Sequence, residues 1–304
     1  MCRHLGYVGP TAAVGELLTR GVYSLRTQSW APRDMRGGGT INADGFGVAW
    51  WRAAGGGSEA AEAQQVTAGR GDVSGRGGVP DAGLGAGNGL VASRYRNADP
   101  IWTDPAVEEV LPQLRSTAVL ASIRSATVGM PVERAACAPF LGGRWAFSHN
   151  GVVPDWRTVL TAVSADLDTA ATQWGATRLF QTARLLEAEA PTDSAALWIL
   201  LGELLDSAGP DGFVADPGAA LALLTETVLR HAPQARLNFL LGDGETLWAT
   251  TVHHALSALI TDDAAILSSE PYDDDPGWQP IKDRCLVTAR PGELSIDQLT
   301  APKS

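Results

Sequence analysis

The order in which strand-like and helix-like stretches follow one another constrains this chain most. Short runs of β-branched, aromatic and aliphatic residues occupy the first half, at Leu5–Val8, Phe46–Trp51, Ala118–Ile123 and Trp145–Ser148. Helical apolar spacing fills the next part. Leu179, Ala183 and Leu186 recur between Thr177 and Glu189; Leu197, Leu200, Leu201, Leu204 and Leu205 follow Thr192-Asp193-Ser194; a third stretch runs from about Gly218 to Arg230 and stops before Pro233. Strands then return at Arg236–Leu241 and Thr246–Thr251, joined by the hairpin turn Gly242-Asp243-Gly244-Glu245, and again at Ile266–Ser269 and Cys285–Ala289. A parallel sheet needs a crossover between successive strands, whereas strands grouped apart from helices and joined by hairpins predict an α+β fold of layered antiparallel sheets. Asp104-Pro105 predicts one more helix, carrying Val107, Val110, Leu111 and Leu114, which Pro112 kinks or shortens.

Between Gly55 and Gly89 the chain is glycine, alanine and small polar residues, with too little bulky apolar content to pack, and reads as a flexible surface insertion. The 34 acidic residues outnumber the 23 basic ones, giving a formal charge of −11 that repels nucleic acid and anionic membrane and points to a small-molecule partner. Cys2, Cys137 and Cys285 are odd in number and far apart, which gives neither a disulfide framework nor a zinc spacing and predicts a reducing, cytoplasmic setting. No apolar run reaches the length of a membrane span. Arg3, His4 and Gly6 interrupt any secretory signal, so the N-terminus is expected to be that of the working protein.

Signatures of serine-hydrolase elbows, phosphate loops and zinc proteases are absent. His253 and His254 are adjacent on a predicted strand, which would turn their side chains to opposite faces, and no metal is expected. The second residue is the chemical candidate. Removal of Met1 would leave Cys2 with a thiol and a free α-amine, groups that titrate near ~8.5 and ~7.7–8.0 in reference peptides, so that the amine can act as the thiol's base. By position alone Cys2 is equally a small apolar residue near a terminus. His149-Asn150-Gly151 follows a buried strand and is either an ordinary turn or a pair of oxyanion donors, the Asn150 amide and a backbone N–H. Arg124 closes an apolar strand, where it needs a carboxylate from the protein or from a substrate. Asp193 reads most simply as a helix N-cap.

In this order, Cys2, Ser122-Ile123-Arg124-Ser125-Ala126-Thr127-Val128-Gly129, Phe147-Ser148-His149-Asn150-Gly151 and Thr192-Asp193-Ser194 resemble the class II glutamine amidotransferase family of N-terminal-nucleophile hydrolases. Met1–Tyr7, Gln28–Arg33, Asn42–Gly47, Arg94-Tyr95-Arg96 with Pro100-Ile101-Trp102, Arg236-Leu237-Asn238 and Ser269–Asp274 are similar to the branch that acts as γ-glutamyl-hercynylcysteine sulfoxide hydrolases in ergothioneine biosynthesis. The resemblance spans most of the chain outside Gly55–Gly89 and roughly Thr161–Ala190. It implies a four-layer αββα sandwich of two antiparallel sheets, formed by residues 2–304 as a single glutamine amidotransferase type 2 domain. It implies Cys2 as nucleophile, Asn150 and Gly151 as oxyanion donors, and Arg124, Thr127 and Asp193 as holders of a γ-glutamyl head, with no cofactor. The family pattern has an aromatic after the arginine and a histidine after the threonine, where this chain has Ser125 and Val128. The activity implied is hydrolysis of a γ-glutamyl amide through a thioester. Trp30 and Trp102 are candidates for an aromatic wall against a trimethylammonium group. The alternatives are a glutamine-hydrolysing subunit that supplies ammonia to a separate synthase, and a catalytically inactive binding protein of the same fold. Nothing in the sequence sets the oligomeric state.

Overall fold

The protein is described by a computed structural model covering residues 2–34, 41–54, 89–173, 182–206 and 216–299. In chain order its elements are β1 (Arg3–Ala13), α1 (Val14–Thr19), α2 (Leu25–Gln28), β2 (Phe46–Ala53), β3 (Leu90–Asn97), α3 (Ala106–Glu109), β4 (Arg115–Ile123), β5 (Phe140–Gly142), β6 (Trp145–Val152), α4 (Trp156–Gln173), α5 (Asp193–Leu205) and α6 (Pro217–His231). The strands β7 (Arg236–Gly242), β8 (Leu247–Thr251), β9 (Ser257–Ile260), β10 (Ala265–Ser268), β11 (Gln279–Pro280), β12 (Cys285–Arg290) and β13 (Glu293–Gln298) complete the chain.

Strand alternation sorts these elements into four layers. One sheet runs β11-β9-β10-β1-β4-β2-β3 and the other β13-β12-β8-β7-β6-β5, with antiparallel neighbours throughout. Leu5 and Tyr7 of β1 point outward to pack with Leu17, Leu18 and Leu25 of α1 and α2. Val8 points inward, where Ala49, Leu120, Leu240, Leu247 and Val287 fill the space between the sheets. That space is narrow: a Cβ added to Gly6 would lie 3.0 Å from Leu247 Cδ2. On the far side, Phe147, Phe239 and Leu241 of the second sheet pack against Leu160, Val163 and Leu167 of α4, Leu197 and Leu201 of α5, and Leu221, Leu224 and Val228 of α6. Two antiparallel sheets face to face with helices outside each match the expected αββα layering.

Several expectations change. Strand β3 and helix α4 were not anticipated, although Leu160, Val163 and Leu167 recur at helical spacing. The helix expected between Thr177 and Glu189 is, in its described part, a 3-10 helix over Thr182–Glu187, where Arg184 pairs with Glu187; the residues up to 181 lie outside the described set. The helix after Asp104 is cut to one turn, Ala106–Glu109, and continues as the 3-10 segment Leu111–Gln113 around Pro112, whose ring and missing N–H prevent a regular helix. The stretch read as a flexible insertion lies outside the described residues through position 88.

Candidate active site

Both sheets place their chemistry-bearing residues at one end. Arg3 pairs with Ile123 of β4, and Ile123 pairs with Phe46 of β2, so β1 and β2 begin where β4 ends. In the second sheet Val152 pairs with Arg236, so β6 ends where β7 begins. The ends coincide: His149 lies near enough to His4, and Arg3 to His254, for their charges to act on those rings.

Cys2 stands one residue ahead of β1, partly exposed, with its Sγ 3.7 Å from the carbonyl of Ser125. The segment facing it is held by the turn before β2. Arg124 N–H donates to Gly45 O at 2.8 Å, Asp44 N–H to Arg124 O at 3.1 Å, and Ala126 N–H to Asp44 Oδ2 at 2.7 Å. Gly45 has φ +111°, and a Cβ there would collide with Cys137 Sγ, so only glycine makes this turn. The Arg124 guanidinium reaches only the Asp44 carbonyl, at 3.5 Å, and has no carboxylate partner among the described residues. Thr127 is exposed, at the start of a turn in which Met130 N–H donates to its carbonyl at 2.9 Å.

Across the cleft, Asn150 and Asn238 face each other on β6 and β7 and are used differently. Asn238 makes three hydrogen bonds: its Oδ1 accepts from Val252 and His254 N–H at 3.0 and 3.1 Å, and its Nδ2 donates to His254 O at 2.8 Å. Asn150 is fully buried and neither amide atom has a partner among the described residues. A buried amide with no hydrogen bonds costs free energy that a ligand oxygen can recover. Gly151 follows, where a Cβ would collide with the Arg236 carbonyl.

Asp193 is not the N-cap of α5. That place is taken by Thr192, whose Oγ1 accepts from Ala195 N–H at 3.2 Å, and Asp193 is the first helical residue. The one-position shift turns its carboxylate, 6% exposed, back onto β6: Oδ2 accepts from Val153 N–H at 2.9 Å and Oδ1 from Ser194 N–H at 2.8 Å. His149 ties the same helix to both strands. Its Nε2–H donates to Arg236 O at 2.9 Å, which leaves Nδ1 to accept from Ser194 Oγ at 3.1 Å. Burial lowers the His149 pKa, against the opposing pull of Asp193.

The buried residues His4, Arg3 and Glu270 carried no predicted role. His4 is fully buried on the inward side of β1, its ring nitrogens have no partner among the described residues, and burial pushes its pKa down to about 3. Arg3 and Glu270, 1% and 3% exposed, form an ion pair at 3.8 Å, and Glu270 Oε2 accepts from Arg33 and Asp34 N–H at 2.9 Å each. Sequence spacing gives no signal for these, because their neighbours come from distant parts of the chain. His253 and His254 lie beyond the end of β8 rather than on a strand; His253 has φ 85° and the two rings meet edge-on at 5.0 Å. Trp30 and Trp102 also meet edge to face, centroids 5.7 Å apart, with Trp30 45% exposed. Among the described residues there is no cluster of three or more potential metal ligands and no helix long and apolar enough to cross a membrane.

The sequence profile of the class-II glutamine amidotransferases matches residues 88–303. The chain belongs to the class II glutamine amidotransferase family. Within it, the chain is 35% identical to a protein of Mycolicibacterium smegmatis named gamma-glutamyl-hercynylcysteine sulfoxide hydrolase, over 98% of this chain and 100% of that protein. It is 34% identical to a Mycobacterium tuberculosis protein of the same name, over 100% and 99% of the two chains. Among solved structures, a glutamine aminotransferase class-II domain protein from Silicibacter pomeroyi has the same fold at a TM-score of 0.50 and 21% identity, covering 98% of this chain and all of that one. The B. subtilis glutamine phosphoribosylpyrophosphate amidotransferase matches at a TM-score of 0.50 and 12% identity, over 98% of this chain and 49% of its own.

Proposed function

We propose that this class II amidotransferase-family chain is an amidohydrolase that removes the γ-glutamyl group from hercynylcysteine sulfoxide, with residues 2–304 acting as one domain once Met1 is gone. The observation that supports the reading is the Asn150 amide, buried without a hydrogen-bond partner among the described residues, on a strand that ends at the same end of the two sheets as the one Cys2 leads into. The names of relatives matched over nearly their whole length supply the substrate.

In this reading the α-amine of Cys2 takes the thiol proton and the thiolate attacks the γ-carbonyl carbon. The tetrahedral oxyanion is held by Asn150 Nδ2–H and the Gly151 N–H. Collapse returns the proton to the departing amine and leaves a thioester. Water, deprotonated by the same α-amine, attacks the thioester, releases glutamate and restores the thiol. Arg124, assisted by Thr127, pairs with the α-carboxylate of the glutamyl head and Asp193 with its α-ammonium. The partly satisfied Asp193 carboxylate keeps lone pairs for that contact.

The test is a panel of glutamine, simple γ-glutamyl amides and the hercynylcysteine sulfoxide conjugate, with glutamate release measured for wild type and Cys2→Ala. The expected result is preference for the conjugate and no turnover by the folded variant. Equal or faster hydrolysis of glutamine would favour an ammonia-supplying subunit instead, and substantial turnover by Cys2→Ala would remove the thioester mechanism.

A further inference from the structure

The proposed mechanism uses Arg124, and a second arginine, Arg236, stands at the same end of the two sheets. Arg236 opens β7, and alternation puts it on the side of Asn238 and Leu240, facing the first sheet. Asn238 is paired with Asn150, so the Cα of Arg236 stands ~7 Å beyond that rung along the strand, at the open end. Its backbone is fixed by the His149 ring. Arg236 is half-buried, and among the described residues its buried Nε has no hydrogen-bond partner and no carboxylate pairs with it.

Its surroundings favour an anion. His254 is 2% exposed and neither ring nitrogen has a partner among the described residues. Burial first, and then the charges of Arg236, His253, Arg3 and His149, all cationic when charged, push its pKa down to about 2. The ring is therefore neutral at working pH and keeps one N–H to donate. Asp193, the acid on this wall, is directed to Val153 and Ser194. A half-buried guanidinium without a counter-charge is costly, and a planar carboxylate removes that cost. Ala255, next to His254 in the chain, lines a cavity of about 370 Å3 with Ser257, Ser269, Arg33, Asp34 and Glu270, the last already held by Arg3 and by the Arg33 and Asp34 N–H groups, and this cavity gives room for a leaving group larger than ammonia.

We propose that Arg236, with His254 beside it, binds a carboxylate on the leaving amine, so that the site is built for γ-glutamyl conjugates of α-amino acids rather than for glutamine. This rests on the γ-glutamyl hydrolysis proposed above. Arg124, on the sheet that carries Cys2, serves the glutamyl carboxylate; Arg236, on the opposite sheet beyond Asn150, serves the other side of the scissile bond. Specificity would then come from a cation left unpaired when ammonia is the leaving group.

The decisive measurement compares kcat/KM for γ-glutamylglycine and γ-glutamylglycinamide, which differ only in the leaving-group carboxylate. Wild type should favour the acid by roughly 10- to 100-fold, the scale of hydrogen bonds to a charged group. Arg236→Gln should bring that ratio close to one. A ratio near one in wild type, or a wild-type ratio preserved in Arg236→Gln, would overturn the assignment, and the wild-type arm stands even if the variant fails to fold. The hercynylcysteine sulfoxide conjugate and glutamine, run alongside, report the underlying reading separately. Failure of wild type to hydrolyse any γ-glutamyl compound removes that reading and this one together, whereas hydrolysis without acid-over-amide preference removes this one alone.

Discussion

Asn150 and Asn238, two like residues opposite each other on paired strands, differ in what their amides bind. Asn238 replaces missing ladder bonds where β8 ends, holding Val252 and His254 by three hydrogen bonds, so its amide is committed to the fold. The Asn150 amide makes none among the described residues. Removing its amide should therefore cost activity rather than stability. Asn150→Ala is expected to raise the barrier by about 3 kcal/mol, close to a hundredfold loss in kcat, the scale of losing one oxyanion donor. Thermal unfolding should be unchanged or slightly improved, because an unpaired buried amide is removed. A near-normal kcat would place the oxyanion elsewhere.

The elements that carry the site are positioned by short polar clamps at strand ends. Asp44 is the clearest: its backbone N–H and its Oδ2 bind Arg124 O and Ala126 N–H, so the turn before β2 sets the path of the chain past Cys2. Asp44→Ala removes the side-chain bond and frees the segment from Ser125 to Thr127, with a stability cost of about 1 kcal/mol. The larger effect should be on KM for γ-glutamyl substrates, several-fold upward, since the segment from Ala126 to Thr127 beside Arg124 loses its fixed path. Asp44→Asn retains an acceptor oxygen and should restore most of the wild-type KM. An unchanged KM in Asp44→Ala would show that the loop needs no such clamp. At the head of α5 the cap chemistry does similar work: with Thr192 as N-cap, Asp193 is turned toward β6 instead of out to solvent.

At the scale of the whole molecule, closing two sheets over one another buries ionisable groups that the unfolded chain would leave in water. Burial lowers the pKa of His4 to about 3 and of His254 to about 2, and lowers that of His149. The reference value is near ~6.5, so between that pH and ~3 the unfolded chain binds protons that the folded chain refuses. Stability from these groups is fully present above about pH 6.5 and is lost as pH falls toward the folded values, at up to ~1.4 kcal/mol per pH unit for each group. Denaturant unfolding followed from pH 7 to 5, above the range in which most carboxylates titrate, should show this decline. His4→Gln removes one contributor and should flatten the slope. An identical slope in wild type and His4→Gln would mean that the folded protein admits the His4 proton.

Local chemistry made the α+β class legible: hairpin turns such as Gly242–Glu245, alternating strands and the Thr192-Asp193-Ser194 helix start are decided by residues near one another in the chain. The same ordering, through resemblance, marked Cys2, Arg124, Asn150, Gly151 and Asp193. Sequence did not settle which side chains are satisfied, because that depends on partners far away. His4 meets Ser269 through its backbone. Arg3 finds Glu270, and Ala126 finds Asp44. Nor did it distinguish Asn150 from Asn238, or show that the Nε of Arg236 is buried without a hydrogen-bond partner among the described residues. Periodicity fixes the face on which a residue lies, and only the meeting of the two sheets decides whether that face carries a hydrogen-bonded strut or a group still lacking its partner.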